Sequence, residues 1–502
     1  MPGAGWLVPG ARDPGGALGV RGYIRYRGGI SWRSEMSDSE ATARPSTTLY
    51  RTPADAMAAP AERLAYVALL DPDAIVVVDV DVSSATYGQV VGRWDAPHQE
   101  VPDEFHHYGW NSCSSALGGG HAGHHDVERR YLVVPGIRSS RIYVLDTRPD
   151  PRHPHLVRTI EPEEVLGKGG YSRPHTVHCG PDGLFVSALG SGSADGNDGP
   201  AGIFTLDHSD FSVTGQWEVD RGTQSMAYDF WWHANEGVLM SSEWGPPRLL
   251  EGGIVPEALL NREYGHKLHF FDLKTRTHIA EIDLGDQYQM TLEVRPSHDP
   301  TKTYGFLGVV IDVTDLSASI WTWFKDGATW KAKKTIHIPA TPMSADLLPP
   351  LLAGFGAVPP LVTDIDLSLD DRFLYVACWA TGEVRQYDVS DPFAPTLAGK
   401  IELGGIAHRA DHPSGKPWAG GPQMVEISRD GRRVYGTNSL YGSWDRQFYP
   451  DGIPGAMFKA DVDVEAGGLH LDPDFHVEFP GHRAHQIRLE GGDCSTDTFC
   501  FI

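Results

Sequence analysis

The chain has 502 residues, with 42 Lys and Arg against 66 Asp and Glu, so that 42 minus 66 gives a formal charge of −24. That balance argues against non-specific binding to nucleic acid or to an anionic membrane and leaves small molecules as the expected partners; solubility alone would also account for it. No run of about 18 apolar residues marks a membrane helix. Five scattered cysteines (Cys113, Cys179, Cys378, Cys494, Cys500) with no CxxC pair make neither a disulfide scaffold nor a structural zinc site. A reducing compartment, the cytoplasm, is therefore expected.

Residues 1–60 read as a disordered leader. The first 35 are rich in Gly and Arg without an apolar h-region, a poor secretory signal, and Met36 opens a more ordinary polar stretch that is the expected start of translation. From Leu64 onward one phrase recurs: a short β-rich run, a turn, a second β-rich run ending in Asp, then a charged or Pro-containing loop. AYVALLDPDAIVVVDVD, YLVVPGIRSSRIYVLDT, HKLHFFDLKTRTHIAEIDL, FLYVACWATGEVRQYDVSD and RRVYGTNSLYG all follow it. Val, Ile, Tyr and Phe alternating with period two identify strands, and DPDA, SLDD and SRDG supply turns. Residues 61–502 are thus expected to form one all-β domain, a seven-bladed β-propeller with inserted loops and short helical segments. The seven comes from about 440 residues at about 40 to 65 per unit, with six or eight blades as alternatives. Two insertions, Pro247–Gly265 and Thr341–Leu361, are expected to cover one face of the disc or to be packing decoration.

Three clusters carry the chemistry: EFHHYGWNSCSS (Glu104–Ser115), SRPHTVHC (Ser172–Cys179) and HRAHQIRLEGGDCS (His482–Ser495). Imidazole is the commonest transition-metal ligand, and a closed β-architecture brings distant strands around one axis, so the clusters together read as one metal site. Adjacent His106 and His107, and likewise His175 and His178, point to opposite faces of a regular strand. Both members of a pair ligate only at a bend or strand end, and one ligand is expected from some pairs. Cys113 and Cys179 lie inside these clusters but fit buried small hydrophobes better than ligands. His121, His124 and His125 sit in a Gly-rich stretch that reads as an exposed loop.

With repeats and clusters in view, the chain resembles the selenium-binding protein and methanethiol oxidase family from Leu64 to the C-terminus. The resemblance is carried by HHYGWNSCSS, SSRIYVLD, PHTVHC, YDFWW with SSEWGPP, LEVRPSHDP, TDIDLSLDDRFLYVACW, AGGPQM, SLYGSWDRQFYPD and GGDCSTDTF. It implies a seven-bladed propeller that oxidises methanethiol with oxygen and water to formaldehyde, hydrogen sulfide and hydrogen peroxide. It also implies copper, held by His106, His107, one or both of His175 and His178, and His485. Two departures matter. The place that matches the family's selenium-binding cysteine falls near Leu69, so selenium binding by that route is not expected, and the export signal common in bacterial members, which would make the periplasm the alternative location, is not visible.

Copper suits the implied reaction because it binds imidazole, accepts a thiolate and exchanges electrons with oxygen. A base or tautomer-fixing carboxylate is also required, and Glu243, Glu293 and Asp364 are the catalytic candidates, with Asp229 a further one. His298 in SHDP ranks below the other histidines because Asp299 and Pro300 suggest a capped turn. Trp110, Trp231, Trp232, Trp244 and Trp379 are candidates for the wall of a methyl-sized pocket, or else blade packing. The alternatives are a non-catalytic metal- or selenium-binding carrier, and a calcium-dependent lactonase-type propeller, against which the His-rich clusters count.

Overall fold

Seven four-stranded antiparallel sheets succeed one another along the chain, arranged as the blades of a β-propeller in a computed structural model that describes residues 49–100, 102–114, 127–180, 183–193 and 196–497. The described residues belong to one compact unit, Pro45–Ile502. The innermost strands of blades one to seven are Arg483–Leu489, Gly109–Trp110, Tyr171–Gly180, Phe230–His233, Tyr288–Pro296, Val362–Leu367 and Val425–Ile427. The ring closes in blade one, where C-terminal Arg483–Leu489 pairs with N-terminal Leu64–Leu70, Ala65 opposite Leu489 and Leu70 opposite Arg483. Two distant pieces of chain therefore share one sheet, and closure removes the open edges that a linear stack would leave.

The strand pattern explains the layering. Leu64–Leu70 and Ala74–Asp79 are buried throughout, as strands covered on both faces by neighbouring blades must be, while the outer strand Val90–Asp95 keeps exposed and half-exposed residues. Apolar clusters fill the gaps between blades, for example Phe185, Trp217, Phe230, Trp232, Phe270 and Trp323 around blade four. Each such side chain contributes about 1.5–3 kcal/mol on burial.

Both insertions are folded. Pro247–Gly265 contains the short helix Pro256–Leu260, and Thr341–Leu361 forms a small ribbon in which Thr341 pairs with Val358. With the helix Gly442–Phe448 they make an apolar cap that includes Leu250, Leu259, Leu352, Trp379, Trp444 and Phe448 and reaches Tyr228, Trp244 and Tyr441 near the axis. Leu49–Pro60, assigned to the leader from sequence, carries the helix Pro53–Met57, capped by Thr52, with Ala56 buried and Tyr50 under Arg429. Met36 and His121, His124 and His125 lie outside the described residues. Among the described residues, no helix is long and apolar enough to cross a membrane.

Candidate metal centre

His106 and His107 precede the inner strand of blade two, in backbone that is not extended: Glu104 has a φ of 57°, and Tyr108 N–H turns back to His106 O at 2.8 Å. That turn releases the adjacent rings from opposite faces, and they lie nearly parallel with centroids 6.2 Å apart. Gly109 follows because a Cβ there would sit 2.3 Å from the carbonyl oxygen of Val177, so only glycine lets blades two and three approach this closely. His175 lies on the inner strand of blade three at a register shift between Pro174 and Val177, and His485 on the inner strand of blade one.

These four rings converge on the axis. Centroids of His106 and His485 are 4.0 Å apart, those of His107 and His175 4.4 Å, and those of His106 and His175 5.5 Å. One nitrogen from each of His106, His107 and His485 lies within 4.8 Å of the others. The Nδ1 of His485 is 2.7 Å from the carbonyl oxygen of Ser439, which requires a proton on Nδ1 and leaves Nε2 with its lone pair. The Nε2 atoms of His106, His175 and His485 are buried with no hydrogen-bond partner among the described residues. Burial lowers all four imidazoles, His175 and His485 to about 3, and neighbouring histidines and arginines push His106 and His107 the same way. Buried, neutral imidazoles with bare nitrogens are a donor set that fits a transition-metal ion.

Aromatic rings cover the cluster. Tyr228 lies 4.4 Å from His175 between centroids and places its hydroxyl 3.2 Å from His107 Nε2, Trp244 lies 6.4 Å from His175, and Tyr441 lies 5.5 Å from His106. The other tryptophans proposed for a pocket pack elsewhere: Trp231 on His178, Trp110 on Tyr66, Trp232 on Phe185 and Trp379 on Phe448.

Beside the histidines lies a buried ionic layer. Arg295 is 3.1 Å from Asp229, 2.9 Å from Glu293 and 3.7 Å from each of Asp364 and Asp366, while Arg488 pairs with Glu426 at 2.6 Å. Glu293 Oε1 is 3.4 Å from His107 Nδ1, close enough for charge interaction but not aligned as a hydrogen bond. Burial and then the charge of Asp229 push the Glu293 carboxyl well above the usual range, and burial takes Asp364 to about 7 and Asp366 to about 8. Burial would raise Asp229 too, but His178 and Arg295 outweigh it and hold it low.

Two expected site residues are not brought to the cluster. His178, past the register shift, turns to Asp229 at 3.3 Å and stacks on Trp231 with centroids 3.8 Å apart. Glu243 points into blade four, accepting from His269 Nε2 at 2.9 Å and from the backbone of His266 and Lys267. His298 is held by Asp371 and by the carbonyl of Leu367, away from the four rings. Tyr228 and Arg295 were missed. Arg295 was readable, because period two puts it on the same face as Glu293 in LEVR.

Fold and site together define a β-propeller with an axial polyhistidine centre suited to a transition metal. The chain belongs to the 56 kDa selenium binding protein family (SBP56), whose model matches residues 43–500. It is 39% identical over 481 residues to a methanethiol oxidase of Xenopus tropicalis, the match covering 89% of this chain and 97% of that one. It is 38% identical over 481 residues to selenium-binding protein 3 of Arabidopsis thaliana, covering 89% and 96%. The crystal structure of a hypothetical selenium-binding protein from Sulfolobus tokodaii superposes with a TM-score of 0.87 at 52% identity, covering 91% of this chain and 100% of that one.

Proposed function

We propose that the chain is a copper-dependent oxidase of methanethiol, converting the thiol, oxygen and water to formaldehyde, hydrogen sulfide and hydrogen peroxide in equal amounts. The observation that carries the reading is the convergence of one nitrogen each from His106, His107 and His485 to within 4.8 Å, with His175 packed beside them, all four imidazoles buried and neutral and three of them with bare Nε2 atoms. Relatives at 38–39% identity that are named methanethiol oxidase support the substrate class. Copper, when bound, would supply a soft site for the thiolate and electron exchange with oxygen, which zinc and calcium do not combine.

His106, His107 and His485 would hold the ion, with His175 as the fourth imidazole. Glu293, 3.4 Å from His107 Nδ1, would orient the ring, and Nε2, which faces the Tyr228 hydroxyl at 3.2 Å, would exchange that contact for the ion. Glu293 is held protonated in the free protein and would surrender that proton once a cation sits beside His107. Its Oε1 then becomes the acceptor for a proton of the substrate, and Asp364, across Arg295 and poised at about 7, the next holder. Tyr228, Trp244 and Tyr441 shield the reacting centre from bulk water. We place the protein in the cytoplasm, where the buried thiols of Cys113, Cys179, Cys378 and Cys494, none of them in a disulfide, stay reduced.

The test is elemental analysis of untagged protein coupled with oxygen uptake on methanethiol. Stoichiometric copper with thiol-dependent oxygen consumption and peroxide release is the expected result. Protein that stays inert after copper reconstitution would refute the oxidase reading and leave the carrier.

A further inference from the structure

A second cluster of ligating side chains lies in blade four, independent of the axial centre and of the function proposed for it. Blade four runs outward through Phe230–His233, Val238–Ser242, Lys267–Asp272 and Thr277–Asp283. His269 is on the third strand, and His278 and Glu281 are on the outermost. Residues three apart on a regular strand point to opposite faces. Here the register slips between Phe270, opposite Ala280, and Phe271, opposite His278, so that Ile279 is an extra residue, turned outward and 50% exposed. The bulge swings His278 onto the face of Glu281, which sits directly across from His269.

The outcome is a compact donor set. His269 Nδ1 is 3.1 Å from His278 Nε2, and one ligating atom from each of His269, His278 and Glu281 lies within 4.8 Å of the other two. His269 is fully buried and its other nitrogen, Nε2, is 2.9 Å from Glu243 Oε1. An ionised carboxylate only accepts, so Nε2 carries the proton and Nδ1 presents a lone pair toward His278. Glu243 is itself fixed by the N–H groups of His266 and Lys267, each at 3.2 Å. A carboxylate holding the far nitrogen of an imidazole is how metal-ligating histidines are oriented. Two nitrogens bound to one tetrahedral zinc at 2.0–2.1 Å are about 3.3 Å apart, so the observed 3.1 Å needs to open by only a few tenths of an ångström.

We propose that His269, His278 and Glu281 form a second metal site, for zinc or a similar borderline divalent ion, with solvent as the fourth ligand. Glu243 is its positioning residue. The charged groups facing it are Lys267, whose Nζ is 2.9 Å from Glu281 Oε1, and Asp220, whose carbonyl accepts from His278 N–H. Lys267 holds the carboxylate while the ion is absent and moves to solvent when it binds. An ion here ties the outermost strand of blade four to the segment Asp220–Gln224 leaving blade three, which already touches it through Thr223 and Glu281.

Equilibrium dialysis of the full chain against zinc, with metal counted per chain, tests this. His278 is half-buried, so His278→Ala is expected to fold normally and to bind one zinc fewer than wild type, while His107→Ala keeps that zinc. Lys267→Met removes the competing cation and is expected to tighten this zinc by about tenfold. Wild-type zinc content in His278→Ala would overturn the proposal, as would loss of the same zinc in His107→Ala, which would put it on the axis.

Discussion

Replacing Arg295 by Met tests the account of the propeller axis. Arg295 is nearly out of solvent with Asp229, Glu293, Asp364 and Asp366 all within 3.7 Å, and its charge is what allows four carboxyl groups to share that space. Met retains much of the volume and removes only the charge and donors. Deleting one partner of a buried ion cluster costs about 3–5 kcal/mol. Unfolding entropy of about 2.1 cal/mol/K per residue over about 450 residues is about 0.9 kcal/mol/K, so the loss reads as about 3–5 °C in Tm. The pH dependence has a definite sign. Burial raises Asp364 to about 7 and Asp366 to about 8, above the roughly 3.9 of an unfolded chain. A carboxyl whose folded pKa is raised binds its proton better when folded. Its contribution is present at low pH and lost as pH rises through the window up to the folded pKa. Without Arg295 the anionic forms lose their partner, so the deficit grows as these groups ionise. Melting followed by circular dichroism should show about 3–5 °C at about pH 6, where Asp229 alone is stranded, and a larger deficit at about pH 9, where Asp364 and Asp366 are ionised as well. An equal deficit at both pH values, or none at the higher one, would refute the electrostatic account.

His107→Ala and His485→Ala should each abolish copper binding and thiol oxidation without unfolding the chain, whereas His178→Gln should keep its copper; full copper in the first two by elemental analysis removes the site assignment. Glu293→Gln should lower thiol oxidation by about 10²–10⁴-fold with copper retained, while Glu243→Gln should leave the rate within about twofold of wild type, both read by oxygen uptake. Because burial holds His175 and His485 at about 3 and His106 and His107 well down, each of the four is a neutral imidazole at about pH 6 with one nitrogen unprotonated, and copper binding should release no proton from them. Calorimetry in buffers of different ionisation enthalpy checks this: the one proton expected comes from Glu293 and should vanish in Glu293→Gln, and release of two or more in that variant contradicts the reading.

The propeller was legible because its signal is local and repeated. Alternating apolar residues and Asp-rich turns recur from Leu64 on, and each blade is built from consecutive strands except the first. The pairing of Arg483–Leu489 with Leu64–Leu70 leaves no local trace, yet closure requires it. The clustering of histidines was legible by residue type. Which member of a pair faces the axis was not, because parity is broken by backbone irregularities: the turn at His106 that brings both neighbours inward, and the register shift between Pro174 and Val177 that sets His175 and His178 apart. Glu243 and Glu293 looked alike as strand carboxylates. What separates them is a neighbour far along the chain in one case, His107, and a local one in the other, His269. The expectation that Leu49–Pro60 belonged to a leader failed on Ala56 and Tyr50, small and aromatic side chains whose burial against blades six and seven has no periodic signature.

The buried charge at the axis and the neutrality of the histidines are two sides of one arrangement. The inner strands of the seven blades surround a common centre, and the groups buried there include Asp229, Glu293, Asp364, Arg295 and Arg488, held by ion pairing. Carboxylates alone would stabilise protonated imidazole and block metal binding below about pH 7. Here Arg295 absorbs the negative charge of Asp229, burial holds the carboxyls of Glu293 and Glu426 high beside Arg295 and Arg488, and Arg138 and Arg483 pair with Glu104 on the other flank. Burial then disfavours the imidazolium, and the arginines add to that through their own charge on His106 and His107. The arginines that make the carboxylates tolerable also keep the nitrogens bare, so the ligand set is ready before any ion arrives. Loss of Arg488, whose charge acts on His107 and pairs with Glu426, should therefore raise the pKa of His107 as well as lower stability, coupling the two effects at one residue.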